Sequence, residues 1–279
     1  MPSRALPLLV LACAAASLGA AYRSEHFVVE APTRAVAERV ARAAERQRKE
    51  LALRWRGREL PDWTEPCTIE VELHPRAVSG CTSISFDEGQ VSGHKIEVRG
   101  PLDRILRSIL PHEMTHVVFA DHLRAAPPRW ADEGGAILGE ARRERDFHER
   151  MAARFLAAPV RLIPLRDMLP ATEYPRDPRD VGVLYSEGYS VARFLVEREG
   201  HTTFLAFLRQ GMAGDWDRAI KAHYRYKDVE HLEAAWVRWV RREGARPHGR
   251  AGAGGPAPRS SRLPQPGEPT ALPPVPASP

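Results

Sequence analysis

Between Leu102 and Val118 the apolar residues Leu102, Ile105, Leu106, Ile109, Leu110, Met114, Val117 and Val118 recur three to four positions apart. That period is one stripe of an α-helix, so the segment is expected to be a helix with one face buried. Inside the stripe stands His112-Glu113-Met114-Thr115-His116. Four residues apart on a helix, the two histidines are one turn apart and project the same way. Two imidazoles so placed can ligate one Zn²⁺ at about 2.0–2.1 Å each. Glu113 sits next to the first ligand, where a general base can reach water at the metal without ligating it. The bland alternative is a helix with two solvated histidines. Pro111 is out of place in a helix interior, where proline costs about 3 kcal/mol. A local kink or a fresh helix start is therefore expected at that point.

A catalytic zinc needs a third protein ligand, and two candidates follow. His122 completes the spacing HExxHxxGxxH, in which a glycine lets the chain turn back to the metal. The glycine position is Phe119 here, in the run Val117-Val118-Phe119-Ala120, which should stay helical. On a continuing helix His122 lies about 600° round and ~9 Å along from His116, so it points elsewhere. The other candidate is Glu133, in Pro128-Arg129-Trp130-Ala131-Asp132-Glu133-Gly134. A second helix starting near Arg129 and packed on the first would deliver this carboxylate, and Glu133 is the preferred ligand. Without a metal role, Glu133 would be an ordinary first-turn carboxylate favoured by the helix dipole.

The rest of the chain frames this motif. Residues 25–30 read as a short strand, and 33–54 as a helix capped by Thr33, with Val36, Val40, Ala43, Ala44 and Leu51 at helical spacing. Residues 67–73 alternate as a strand. Residues 82–86 and 94–99 read as a hairpin or meander, with turn signals at Asp87-Glu88-Gly89 and Ser92-Gly93. From Pro101 the pattern is almost wholly helical. Helices are expected at 189–198 and 202–210, split at Gly200 with Thr202 as a cap. Trp216, Ala219, Ile220 and Tyr224, then Leu232, Trp236 and Trp239, form core stripes of closing helices. The fold class is therefore α+β, with residues 22–100 as a small N-terminal part and 101–244 as a mainly helical part.

The ends differ from the middle. Residues 1–21 combine Arg4, an apolar run from Ala5 to Leu18 and small residues at Gly19 and Ala21. This reads as a secretory leader cleaved after about Ala21, with an apolar run too short to span a bilayer. A competing reading takes Val10-Leu11-Ala12-Cys13 as a lipobox that would lipidate Cys13, although Leu fits the second position poorly. Either places the protein outside the cytoplasm, secreted or periplasmic. There, Cys67 and Cys81 could form a disulfide between neighbouring strands or remain buried free thiols. Residues 245–279 are rich in Pro, Gly, Ala and Ser and are expected to be disordered. The chain's net charge of +5 belongs mostly to these ends. The middle is nearly neutral and only 7% of the chain is aromatic, which argues against a nucleic-acid partner. The basic tail could touch an anionic envelope weakly.

Three segments together resemble a known family. Leu110-Pro-His-Glu-Met-Thr-His116, then Pro128-Arg-Trp-Ala-Asp-Glu-Gly134, then Leu184-Tyr-Ser-Glu-Gly-Tyr-Ser-Val-Ala-Arg-Phe-Leu195, are similar in kind and order to the peptidase MA-like family of bacterial gluzincins. The similarity runs from about Tyr22 to Arg242. Asp132 stands where the related aminopeptidases often carry Asn, and the 16 residues between His116 and Glu133 are fewer than in those enzymes. The resemblance implies a zincin-like fold whose edge strand precedes the active helix, here the strand at 94–99, and which takes a peptide or protein substrate. It implies that Tyr185 stabilises the oxyanion, with Tyr189 as fallback, and that Glu187 and Gly188 are structural. Glu97 could bind a free peptide N-terminus, but the GAMEN sequence that accompanies that role is missing, and a solvated strand charge is preferred. The reading is thus a secreted zinc metallopeptidase in which His112, His116 and Glu133 hold the metal, Glu113 is the base and Tyr185 assists. The alternative is a zinc-stabilised extracellular binding module without turnover, which has no need of Glu113.

Overall fold

In the computed structural model residues 19–157 and 162–245 are described. The expectations for the leader up to residue 18, Cys13 included, and for the tail from 246 onward lie outside the described residues. Ala20 and Ala21 are described, and they lie in a strand. β1 (Ala20–Arg23) pairs antiparallel with β2 (Phe27–Ala31), Ala21 facing Glu30. A cleavage after Ala21 would fall inside β1.

Thr33 starts the first helix by accepting a hydrogen bond from the Val36 N–H at 3.3 Å. α1 (Arg34–Arg56) ends at Gly57, whose φ of +70° suits a residue without a Cβ. The buried face of α1 is mostly alanine, with Val40, Leu51 and Trp55 supplying bulk, which allows close approach to the sheet. β3 (Cys67–Leu73) runs parallel to β2, and α1 is the crossover between them. β4 (Ser79–Asp87) and β5 (Gln90–Gly100) form a hairpin that turns at Glu88-Gly89, both at positive φ. The second turn signal, Ser92-Gly93, is instead an irregularity in the hairpin register between Ser83 and Ser85, with Gly93 at φ +64°.

The sheet order is β1-β2-β3-β5-β4. This corrects the expected edge strand at 94–99. β5 is internal, parallel to β3 on one side and antiparallel to β4 on the other, so β4 is the edge. The hairpin returns its second arm next to β3 and leaves the first arm outside. Glu97 lies on the exposed face of β5, paired with Lys95 at 2.6 Å. The order also separates the cysteines. Cys67 on β3 is buried, Cys81 on β4 is half-buried with β5 between them, and both are free thiols.

After Pro101 the chain is helical. α2 (Leu102–Arg104) passes through a π-helical turn (Ile105–Ile109) into α3 (Leu110–Leu123). The wider turn falls immediately ahead of Pro111, which has no N–H for the regular ladder. So the helix neither stops nor restarts: the π turn ending at Ile109 absorbs the proline that immediately precedes His112. α4 (Arg129–Leu138), α5 (Arg142–Ala157), α6 (Leu165–Met168), α7 (Pro178–Gly211), α8 (Trp216–Tyr224) and α9 (Val229–Ala245) follow. α7 starts earlier than the spacing suggests, because Asp177 caps it through the Arg179 N–H at 2.9 Å and Pro178 suits the first turn. It breaks at Gly200, at φ +83°. No described helix is long and apolar enough to cross a membrane.

One apolar core runs from Val29, Ile69 and Ile96 in the sheet to Leu110, Val117, Leu195 and Trp236 in the helices. The two parts read from the sequence therefore share their interior. Behind α3, Trp55, Phe119, Phe204 and Trp130 meet edge to face or tilted, the Trp55 and Phe119 rings 4.7 Å apart. Each fully buried aromatic contributes roughly 2–3 kcal/mol of burial, and together they fix α1, α3, α4 and α7 against one another.

Candidate metal centre

His112 and His116 lie in the first two turns of α3, with ring centroids 4.9 Å apart. α4 packs on α3 closely because Gly135 faces Phe119: a Cβ there would sit 2.5 Å from the Phe119 ring. α4 also packs on α7 at a glycine pair, where a Cβ on Gly134 would meet the Gly188 carbonyl oxygen at 2.3 Å. These contacts carry Glu133 to the histidines. Its Oε2 is 3.4 Å from His112 Nε2, and the ligand atoms of His112, His116 and Glu133 all lie within 4.8 Å of one another. A tetrahedral ion with donors at about 2.1 Å places them ~3.4 Å apart, within reach of small side-chain rotations.

The outer nitrogens settle which atoms face inward. His112 Nδ1 is 2.7 Å from Glu140 Oε1, and His116 Nδ1 is 2.8 Å from Asp132 Oδ1. Ionised carboxylates only accept, so each Nδ1 carries a hydrogen, and Nε2 is the nitrogen that faces the shared space and could give its lone pair to a metal in exchange for a proton. Glu133 Oε2 is buried and has no hydrogen-bond partner. A buried acceptor without a donor is costly, and a cation beside it removes that cost. The three residues can hold a metal ion.

The charges agree. Burial works against a charged His116, but Asp132 and then Glu133 prevail and lift it to about 9. Burial also opposes a charged His112, yet Glu133 and Glu140 raise it well above the usual range. Burial opposes the Glu133 carboxylate, and the two imidazoles and Tyr174 hold it down to about 2. The cluster is a place that favours positive charge. Glu113 is buried and its acid is raised, first by burial, against the pull of His112, His116 and a hydrogen bond from Thr82. An upward shift moves a carboxylate toward what a general base needs near neutrality.

β4 holds Glu113 from the other side. Thr82 Oγ1 donates to Glu113 Oε2 at 2.7 Å, and a Cβ on Gly80 would lie 2.1 Å from Glu113 Oε1. His122 is not brought to the cluster. It lies between Arg56 and Arg209, with Arg209 Nη2 3.0 Å from its Nε2. Burial and those cations push it down to about 4. Tyr185, on α7, stacks on Tyr174 with centroids 6.4 Å apart. Burial, then the neighbouring Glu133 and Tyr174, raise its phenol, so it stays a hydrogen-bond donor. Tyr189 is buried one turn farther along and lines a cleft with Glu149, Arg193 and Trp239. Gly188 lets α7 approach α4 closely, and Glu187 is buried, accepting from the Ile163 N–H at 3.2 Å.

Sequence reasoning passes over Tyr174, Glu140, Thr82 and Gly80. The Tyr174 hydroxyl donates to Glu133 Oε1. Glu140 lies in the bend just past the end of α4 at Leu138, where no helical period carries it. The other three reach the site from a loop and a strand, at no spacing that refers to the helix. Comparison with family models, with curated proteins and with solved structures finds no match.

Proposed function

We propose that this chain is a zinc-dependent metallopeptidase of gluzincin type on a zincin-like fold, acting outside the cytoplasm as its leader-like N-terminus implies. One observation carries the reading: His112, His116 and Glu133 converge with an orphaned carboxylate oxygen inward, and the buried Glu113 stands next to the first of them. A structural metal has no use for that fourth residue. Two neutral imidazoles and one carboxylate are a donor set that suits Zn²⁺ and leaves a fourth position open. Bound there, zinc supplies Lewis acidity, lowering the pKa of water toward about 7 and polarising a carbonyl.

The chain's own residues do the rest. Glu113 takes a proton from the attacking water and returns it to the leaving amine. Thr82 holds that carboxylate by its hydrogen bond, and Gly80, lacking a Cβ, leaves it room against β4. Tyr185 aims a neutral phenol at the oxygen where negative charge develops. Glu140 and Asp132 hold the imidazoles in their donor tautomers. The free edge of β4 runs past Glu113 and offers unpaired backbone groups to an extended peptide. The test is a mixed peptide library read by mass spectrometry with protein as purified, after chelation, and after zinc is restored. Cleavage that is lost on chelation and recovered with zinc is expected. Stoichiometric zinc without any cleavage would favour a binding module instead.

A further inference from the structure

Glu133 has two oxygens, and they are treated differently. Oε1 accepts a hydrogen bond from the Tyr174 hydroxyl, while Oε2 is buried, has no hydrogen-bond partner and lies in ion-pair range of His112 Nε2 at 3.4 Å. A carboxylate can grip a metal with one oxygen or with both. A hydrogen bond on Oε1 uses a lone pair and stops the group from rotating, so one oxygen is presented inward. Two nitrogens and one oxygen leave room for water and a substrate carbonyl. A second Glu133 oxygen would crowd that room.

Tyr174 is itself fixed. Its ring stacks on Tyr185 with an interplanar angle of 7°, and the Arg129 guanidinium lies over it at 4.7 Å. Arg129 ties the Tyr174 loop to the first turn of α4: its N–H donates to the Ala171 carbonyl at 2.9 Å and its Nε to the Thr172 carbonyl at 3.0 Å. Arg129 Nη1 is also 3.8 Å from Asp132 Oδ2, and Asp132 holds His116. The loop and the helix that bears Glu133 are thus one unit around both ligands.

We infer that Tyr174 is a positioning residue that holds Glu133 to a single inward oxygen, which leaves Tyr185 as the phenol for substrate. The inference rests on the proposed metal site. It is tested on the full chain by Tyr174→Phe, which keeps the ring and its stacking and removes only the hydroxyl. Zinc affinity is measured by chelator competition, and the Co²⁺-loaded protein is read by its visible spectrum, which reports coordination geometry. Tyr174→Phe is expected to bind zinc about 10- to 100-fold more weakly, to stay folded when metal-free with a modestly lower melting temperature because a buried acceptor loses its donor, and to show an altered cobalt spectrum at saturation. Arg129→Gln, which loosens the loop without touching Glu133, should weaken zinc by less, and Tyr185→Phe, which removes a hydroxyl beside Tyr174 and Glu133, should also weaken it by less than Tyr174→Phe does. Wild-type affinity and spectrum in Tyr174→Phe would overturn the inference, as would an equal loss in Tyr185→Phe. Failure of the wild-type protein to bind either metal would instead overturn the metal site itself.

Discussion

Glu187 illustrates what a single buried carboxylate does to this molecule. Its Oε2 accepts from the Ile163 N–H, and its Oε1 is buried without a partner. Burial lifts its acid from the ordinary 4.5 to about 8, the Ile163 N–H pulls it partly back, and Glu233 adds to the rise. The folded chain therefore holds this proton more tightly than the unfolded chain does, and stability falls as pH rises from about 4.5 to 8. Glu187→Gln keeps an acceptor for Ile163 and removes the charge. Thermal melts across pH should find the variant more stable than wild type at pH 8–9 and not at pH 5; an equal difference at both would refute the buried charge. At this scale the sequence was most readable where residues share a helix. His112, Glu113 and His116 stand at fixed spacing, and Glu133 follows from a second helix start. Tyr174 was not readable, because its place beside Glu133 depends on how a loop folds back on Arg129.

Between elements, the contact of α4 with α7 decides where Glu133 sits. A Cβ on Gly188 would lie 2.6 Å from the Trp130 carbonyl oxygen, and backbone cannot yield as a side-chain tip can. Gly188→Ala must push the helices apart, at about 1–3 kcal/mol, and it draws Glu133 from the histidines. A lower melting temperature and weaker zinc binding are expected. Gly182→Ala, on the same helix with nothing near its Cβ, is the control and should be neutral or stabilising by up to about 1 kcal/mol. A Gly188→Ala variant as stable and as tight as that control would contradict the packing account. Helices and strands were legible where local signals agreed, as at Thr33 with its stripe and in the alternation at 67–73. Strand order was not, because the hairpin register says nothing about which arm meets β3. The early start of α7 was written in Asp177-Pro178, a cap and first-turn pair with no apolar period beside it.

Across the whole molecule, the described fold is a five-stranded mixed sheet and a helical half around one core, with the candidate centre where α3, α4, α7 and β4 meet. The open sheet face pairs its charges, Lys95 with Glu70 and Glu97, and Arg99 with Glu72. This accords with a nearly neutral middle in a chain of net charge +5. The α+β class was readable from the change of period at Pro101. That the two halves share an interior was not, since apolar stripes state how much surface is buried but not against what. The central claim is that Glu113 moves a proton at a metal held by its neighbours. It is tested most directly by peptide cleavage with Glu113→Gln and wild type at equal, measured zinc content. The account predicts one zinc per chain in both and a cleavage rate at least about 100-fold lower in the variant; a zinc-loaded Glu113→Gln protein that cleaves as fast as wild type would contradict it.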